Sequence, residues 1–176
     1  MVDEQIYFFC VMENLLFLNK KKHPLDVIEE IIDSQSYTFK RSFQDELDLW
    51  ISSSRSNFRI NFNWNSKLEG IHIIVFFETK IPEYRQDEVY KLTRKINQLM
   101  WLGHFDIWND ELMPVFRYNL LLSGGLLPTD IQFNSLLRHI TDTCEKFFPS
   151  FQYVIWGGNN ADEAIKNSIF TTAGES

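Results

Sequence analysis

Phe58-Arg59-Ile60-Asn61-Phe62-Asn63-Trp64 and, after the turn Ser66 to Gly70, Ile71-His72-Ile73-Ile74-Val75-Phe76-Phe77 are the stretches that decide the fold. In the first, aromatic or aliphatic residues alternate strictly with Arg and Asn. That is the two-residue period of a strand with one buried and one wet face. The second is apolar almost without a break, which predicts a central strand covered on both faces. A short turn joins them, so the pair should be antiparallel.

Working towards the N-terminus, Leu47, Leu49 and Ile51 alternate with Glu46, Asp48 and Trp50, and Tyr37-Thr38-Phe39 is a shorter strand candidate. Four strands in succession suggest a meander. Before them, Pro24 suits the first turn of a helix, and Leu25, Val27, Ile28, Ile31 and Ile32 follow its period up to Ser34-Gln35-Ser36.

Towards the C-terminus, Pro82 introduces a helix with Val89, Leu92, Ile96, Leu99 and Met100 at spacings of three and four, ended by Gly103. Phe105 to Trp108 and Val115 to Leu122 read as two further strands. Thr129-Asp130-Ile131-Gln132 has the form of a capping box, and Phe133, Leu136, Leu137, Ile140, Cys144, Phe147 and Phe148 make a long stripe behind it. Pro149 should kink or break that helix. Gly157-Gly158 stops the run, Asn160 can cap a last short helix through Ile165, and the tail from Thr171 should fray. The order helix, four strands, helix, two strands, two helices predicts an α+β domain with helices packed on an antiparallel sheet.

Composition narrows the function. The 176 residues fit one domain, and 17 basic against 24 acidic residues leave a net charge of −7. An acidic chain whose one dense basic run is Lys20-Lys21-Lys22 is a poor ligand for a phosphate backbone, so no nucleic-acid partner is expected. Cys10 and Cys144 stand far apart, outside any CxxC pair, which suits a reducing cytoplasm. The apolar stretches Ile6–Met12 and Leu15–Leu18 follow acidic residues and are interrupted by Glu13-Asn14, unlike a secretory signal or a membrane span. We expect residues 1–22 to form an extension and residues 23–176 a single domain, in the cytoplasm and away from membranes.

Signs of chemistry are sparse. His23, His72, His104 and His139 never occur with metal-ligand spacing, and no nucleophile elbow or phosphate-binding glycine motif is present. No cofactor and no catalytic group are therefore expected. The alternative is a cryptic enzyme or metal-binding protein centred on His104 and Asp106, which share one face of a strand. Met100-Trp101-Leu102-Gly103-His104-Phe105-Asp106-Ile107-Trp108 is the conspicuous segment. It reads as a corner stapling helix to sheet or, with Trp50, as an aromatic protein contact. Trp50, Trp101, Phe105 and Trp108 are the candidate residues.

Trp101-Leu102-Gly103-His104-Phe105-Asp106-Ile107-Trp108 with Pro114-Val115-Phe116-Arg117-Tyr118 resembles the alphaproteobacterial branch of the YbjN family of bacterial sensory transduction regulators. Cys144 to Gln152, Trp156-Gly157-Gly158, Asp162-Glu163-Ala164, His23-Pro24-Leu25-Asp26 and Pro82-Glu83-Tyr84-Arg85 agree with it. The likeness spans roughly residues 23 to 174. It implies a fold like that of type III secretion chaperones, a homodimer, and regulation or chaperoning through an unidentified protein partner. It carries over no catalytic residue.

Overall fold

The computed structural model describes residues 22–52 and 57–173, with side chains described as far as Ser168. The elements run α1 (Pro24–Ser34), β1 (Thr38–Phe43), β2 (Glu46–Ser52), β3 (Asn57–Asn65), β4 (Gly70–Phe76), a 3-10 turn (Glu83–Arg85), α2 (Gln86–Asn97), β5 (His104–Trp108), β6 (Met113–Leu121), α3 (Asp130–Ile155) and α4 (Ala161–Ala173). Six strands form one antiparallel sheet in the order β1-β2-β3-β4-β6-β5, so the fold is α+β as expected. The first four strands are the meander. The β5–β6 hairpin joins it through β6, after α2 has crossed over the sheet.

Alternation sorts the side chains into two layers. Leu47, Leu49, Phe58, Ile60, Phe62, Ile71, Ile73, Val75, Phe105, Ile107 and Phe116 belong to one buried cluster with the apolar stripes of α1, α2 and α3. Helices therefore cover one face, and burying those stripes is the main force holding the layers together. The other face carries Arg59, Asn61 and Asn63 of β3 beside His72, Ile74 and Phe76 of β4. None of the described helices covers it. This corrects the expectation for β4: Ile74 is buried on the open face, but outside the core cluster.

Caps set the helix ends. His23 Nδ1 accepts the Leu25 N–H at 3.2 Å ahead of Pro24, and His23 Nε2 lies 2.9 Å from Asp45 Oδ1, tying α1 to the β1–β2 turn. Thr129 Oγ1 accepts the Gln132 N–H at 3.2 Å as the capping box predicts. Helix α3 continues through Pro149 as one element, with Phe147, Phe148, Ser150 and Phe151 buried on either side of it. Arg85 then clasps its end, donating from Nε to Val154 O at 2.7 Å and from Nη2 to Asn159 O at 2.6 Å.

Two elements outrun the sequence reading. Strand β1 extends to Phe43, past Lys40 and Arg41, with a bulge between Arg41 and Phe43. Helix α4 starts behind Asn160, whose Oδ1 accepts the Glu163 N–H at 3.0 Å, and runs to Ala173 where a frayed tail was expected. Small buried residues at helical spacing, Ala161, Ala164 and Ser168, let it lie close to its neighbours. The expectations for Cys10 and for the extension fall, apart from Lys22, outside the described residues.

Candidate functional site

The open face of the sheet collects the polar and aromatic side chains that do not serve the core. In register across the strands, one row is Trp50, Arg59, Phe76, Val115 and Asp106, and the next is Asp48, Asn61, Ile74, Arg117 and His104. A cleft of about 550 Å³ lies over them, lined among others by Arg59, His72, Phe76, Trp108, Glu111 and Arg117.

Guanidinium groups and rings organise this face. The Arg59 guanidinium sits 4.2 Å from the centre of the Phe76 ring. Phe76 meets Trp108 edge-on at 5.7 Å between ring centres, and Arg117 lies 5.2 Å over Trp108. Such contacts hold flat side chains upright on the sheet. Acidic partners anchor both arginines from the side. Arg59 Nη1 donates to Asp48 Oδ1 at 3.0 Å, and Asn61 Nδ2 donates to Asp48 Oδ1 at 3.1 Å and to Glu46 Oε1 at 2.8 Å. Arg117 Nε approaches Asp106 Oδ2 to 2.9 Å, an ion pair too bent to be a hydrogen bond, and its Nη1 lies 3.4 Å from His72 Nε2.

Burial, and then the charges of Arg117 and His104, push the His72 imidazole below its ordinary pKa. The folded state thus binds the His72 proton less readily than the unfolded chain does. The contribution of His72 to stability is fully present above about pH 6.5, the unfolded imidazole value, and is lost as pH drops through it towards the lower folded value. Urea unfolding of wild type and His72→Asn at pH 7.5 and 5.5 checks this: wild type should lose more stability on acidification. Equal losses would remove His72 as the cause.

The four candidate aromatics take different places. Trp50 (40% exposed) and Trp108 stand on the open face. Trp101 is 99% exposed in the turn after α2. Phe105 is 1% exposed, packed against Phe77, Phe116, Phe147 and Phe151, so it staples helix to sheet and is closed to a partner. The structure therefore brings Trp50 and Trp108 to one surface and separates Trp101 and Phe105 from it. Arg59, Phe76 and Arg117 were not singled out as site residues. The signal for Arg59 was present in the polar half of the β3 alternation.

His104 and Asp106 do share the open face. Both Asp106 oxygens are engaged, Oδ1 by the Ile107 N–H at 2.8 Å and Oδ2 by Arg117. Among the described residues no group of three or more His, Cys, Asp or Glu could hold a metal ion. His139 is half-buried, with Nε2 3.3 Å from Leu102 O and its ring against Tyr118. Cys144 is fully buried, and burial pushes its thiol well above the ordinary range.

The YbjN family model, described as "Putative bacterial sensory transduction regulator", matches residues 24–153, most of the chain. The chain belongs to the YbjN family. The matched span runs from α1 almost to the end of α3 and includes both rows of the open face. A solved structure, "Crystal structure of YbjN, a putative transcription regulator from E. coli", aligns at 14% identity with a TM-score of 0.48, covering 85% of this chain and 91% of that one. No curated protein matches the chain. Among the described residues no helix is long and apolar enough to cross a membrane. The family description is that of a regulator, which agrees with a non-catalytic role.

Proposed function

We propose that this YbjN-family chain is a cytoplasmic regulator that acts by binding another protein on the open face of its sheet. The observation carrying this reading is the Arg59–Phe76–Trp108–Arg117 array. Arg and aromatic residues are the types enriched at protein interfaces and their hot spots. Here they are held upright by cation–π contacts and anchored by carboxylates, so little rotamer entropy is lost when a partner arrives. A chaperone-like mode, in which a client segment lies across the sheet, belongs to the same proposal. So does a homodimer, as the family resemblance implies.

Affinity capture from the native cytoplasm tests it, comparing wild type with Trp108→Ala and with Arg59→Ala. A protein enriched by wild type and lost with both variants is the expected result. An identical captured set, or none, overturns the proposal. Light scattering at micromolar concentration should return twice the 21.0 kDa chain mass; the mass of a single chain would remove the dimer.

A further inference from the structure

The two edges of the sheet are finished differently. At β5, the Asn97 side chain lies along the strand like a short piece of a neighbouring one. Its Nδ2 donates to Phe105 O at 2.9 Å and its Oδ1 accepts the Phe105 N–H at 2.8 Å. Asp106 Oδ1 takes the next outward N–H, that of Ile107. An added strand would need these groups, so this edge is closed.

No such plug is found at β1. The Trp64 N–H donates to Asp45 O at 2.8 Å, which phases the β2–β3 ladder. By alternation Leu47 and Leu49 direct their backbone to β3, while Asp48 and Trp50 direct theirs to β1. Their β1 partners are Lys40 and Thr38. Phe39 and Arg41 are left pointing N–H and C=O outward, and among the described residues no strand or side chain pairs with those groups.

The ground beside this edge is acidic. A cleft of about 530 Å³ is lined by Asp26, Glu29, Glu30 and Asp33 of α1, with Phe39 of β1. Arg41 reaches Asp26 at 3.2 Å and Glu29 at 3.1 Å, and Lys22 reaches Glu30 at 2.5 Å. Four carboxylates thus face two cations of this chain. Residues of an added strand opposite Phe39 and Arg41 would point to the same side as those two side chains, over the cleft.

We infer that the β1 edge accepts an extended basic segment of a protein partner, added as a seventh strand, with Lys or Arg at alternate positions facing the α1 carboxylates. A second copy of β1 would bring over this cleft one cation, Arg41, that is already paired with Asp26 and Glu29 of its own α1. This surface is distinct from the open face, and the inference does not depend on what binds there.

The test uses the full-length ¹⁵N-labelled chain and a peptide of about eight residues alternating lysine and valine, long enough to span β1. Two controls carry glutamate for lysine, or N-methyl groups on the alternate residues that must bond to β1. Binding should shift the Phe39 and Arg41 amides and slow their exchange. Glu30→Lys combined with Asp33→Lys, both on the exposed face of α1, should weaken it about tenfold, roughly 1.4 kcal/mol. Trp108→Ala should leave it unchanged, which separates this edge from the open face. Equal binding of either control peptide, no binding of the lysine peptide, or shifts confined to β5 or the open face would overturn the inference.

Discussion

Phe105→Ala is expected to lower the unfolding free energy by about 3–5 kcal/mol, measured by urea or guanidinium unfolding, with the slope of the transition unchanged. The ring is 1% exposed and sits where sheet and long helix meet. It packs edge-on against Phe116 at 5.3 Å and Phe147 at 6.2 Å, tilted against Phe151 at 5.2 Å, and stacked on Phe77 at 6.1 Å. Phe77 in turn stacks on Phe148 at 4.1 Å. Removing the central ring forfeits its transfer free energy and leaves a cavity. The walls of that cavity are rings just after β4, on β6 and on α3, and none can move in without abandoning its other neighbours. Four residues earlier, Trp101→Ala should change stability by no more than about 0.5 kcal/mol, because that indole is 99% exposed. Two aromatics of one short segment thus carry opposite consequences. Similar costs for both would contradict the packing described.

Much of this architecture is legible in the sequence because alternation and helical period are physical signals of burial. Phe58 to Trp64 shows both faces of the sheet in seven residues, and the helix and strand stripes around it fall on one core, except that Leu99 lies past the end of α2 and is exposed. The failures on the open face originate in cross-strand register. An unbroken apolar run such as Ile71 to Phe77 looks the same whether a second layer of helices covers it or neighbouring side chains do. Here Ile74 lies between Asn61 and Arg117 in its row, and that pairing cannot be read along one strand. The stacking of Arg59 on Phe76 and of Arg117 on Trp108 is hidden for the same reason: each contact joins residues far apart in the chain. Alternation did place Trp50 and Trp108 opposite the core residues of their own strands. It could not tell that the two strands present those sides to one surface. Strand β1 was shortened by the charges of Lys40 and Arg41, which are what an edge strand tolerates. Helix α4 was shortened because Ala and Ser carry a weak apolar signal even where they are buried.

The second large effect concerns Gly103, whose backbone turns α2 into β5. Its φ of +73° lies in the left-handed region, where an L side chain costs about 1–2 kcal/mol. Space is the larger obstacle. A Cβ on Gly103 would stand 2.3 Å from Phe116 Cζ and 2.9 Å from the Arg117 carbonyl oxygen. Phe116 is fully buried against Phe105 and cannot swing away, and the Arg117 carbonyl belongs to the strand that pairs with His104. Backbone and overpacking terms together put Gly103→Ala at about 3–5 kcal/mol. Gly124→Ala separates the two terms. Gly124 also has a positive φ, +80°, but nothing lies within 4 Å of its would-be Cβ, so only the backbone cost of about 1–2 kcal/mol applies there. Matching losses for the two variants, in the same unfolding experiment, would show that the contact with Phe116 is not limiting. The consequence reaches the open face, because β5 delivers Asp106 to Arg117 and Trp108 to Phe76. Displacing β5 to admit one methyl group would loosen the Asp106–Arg117 pair and the Phe76–Trp108 contact together. Tryptophan fluorescence of Gly103→Ala compared in Trp108-containing and Trp108→Phe backgrounds should therefore report a Trp108 environment that Gly124→Ala leaves unaltered.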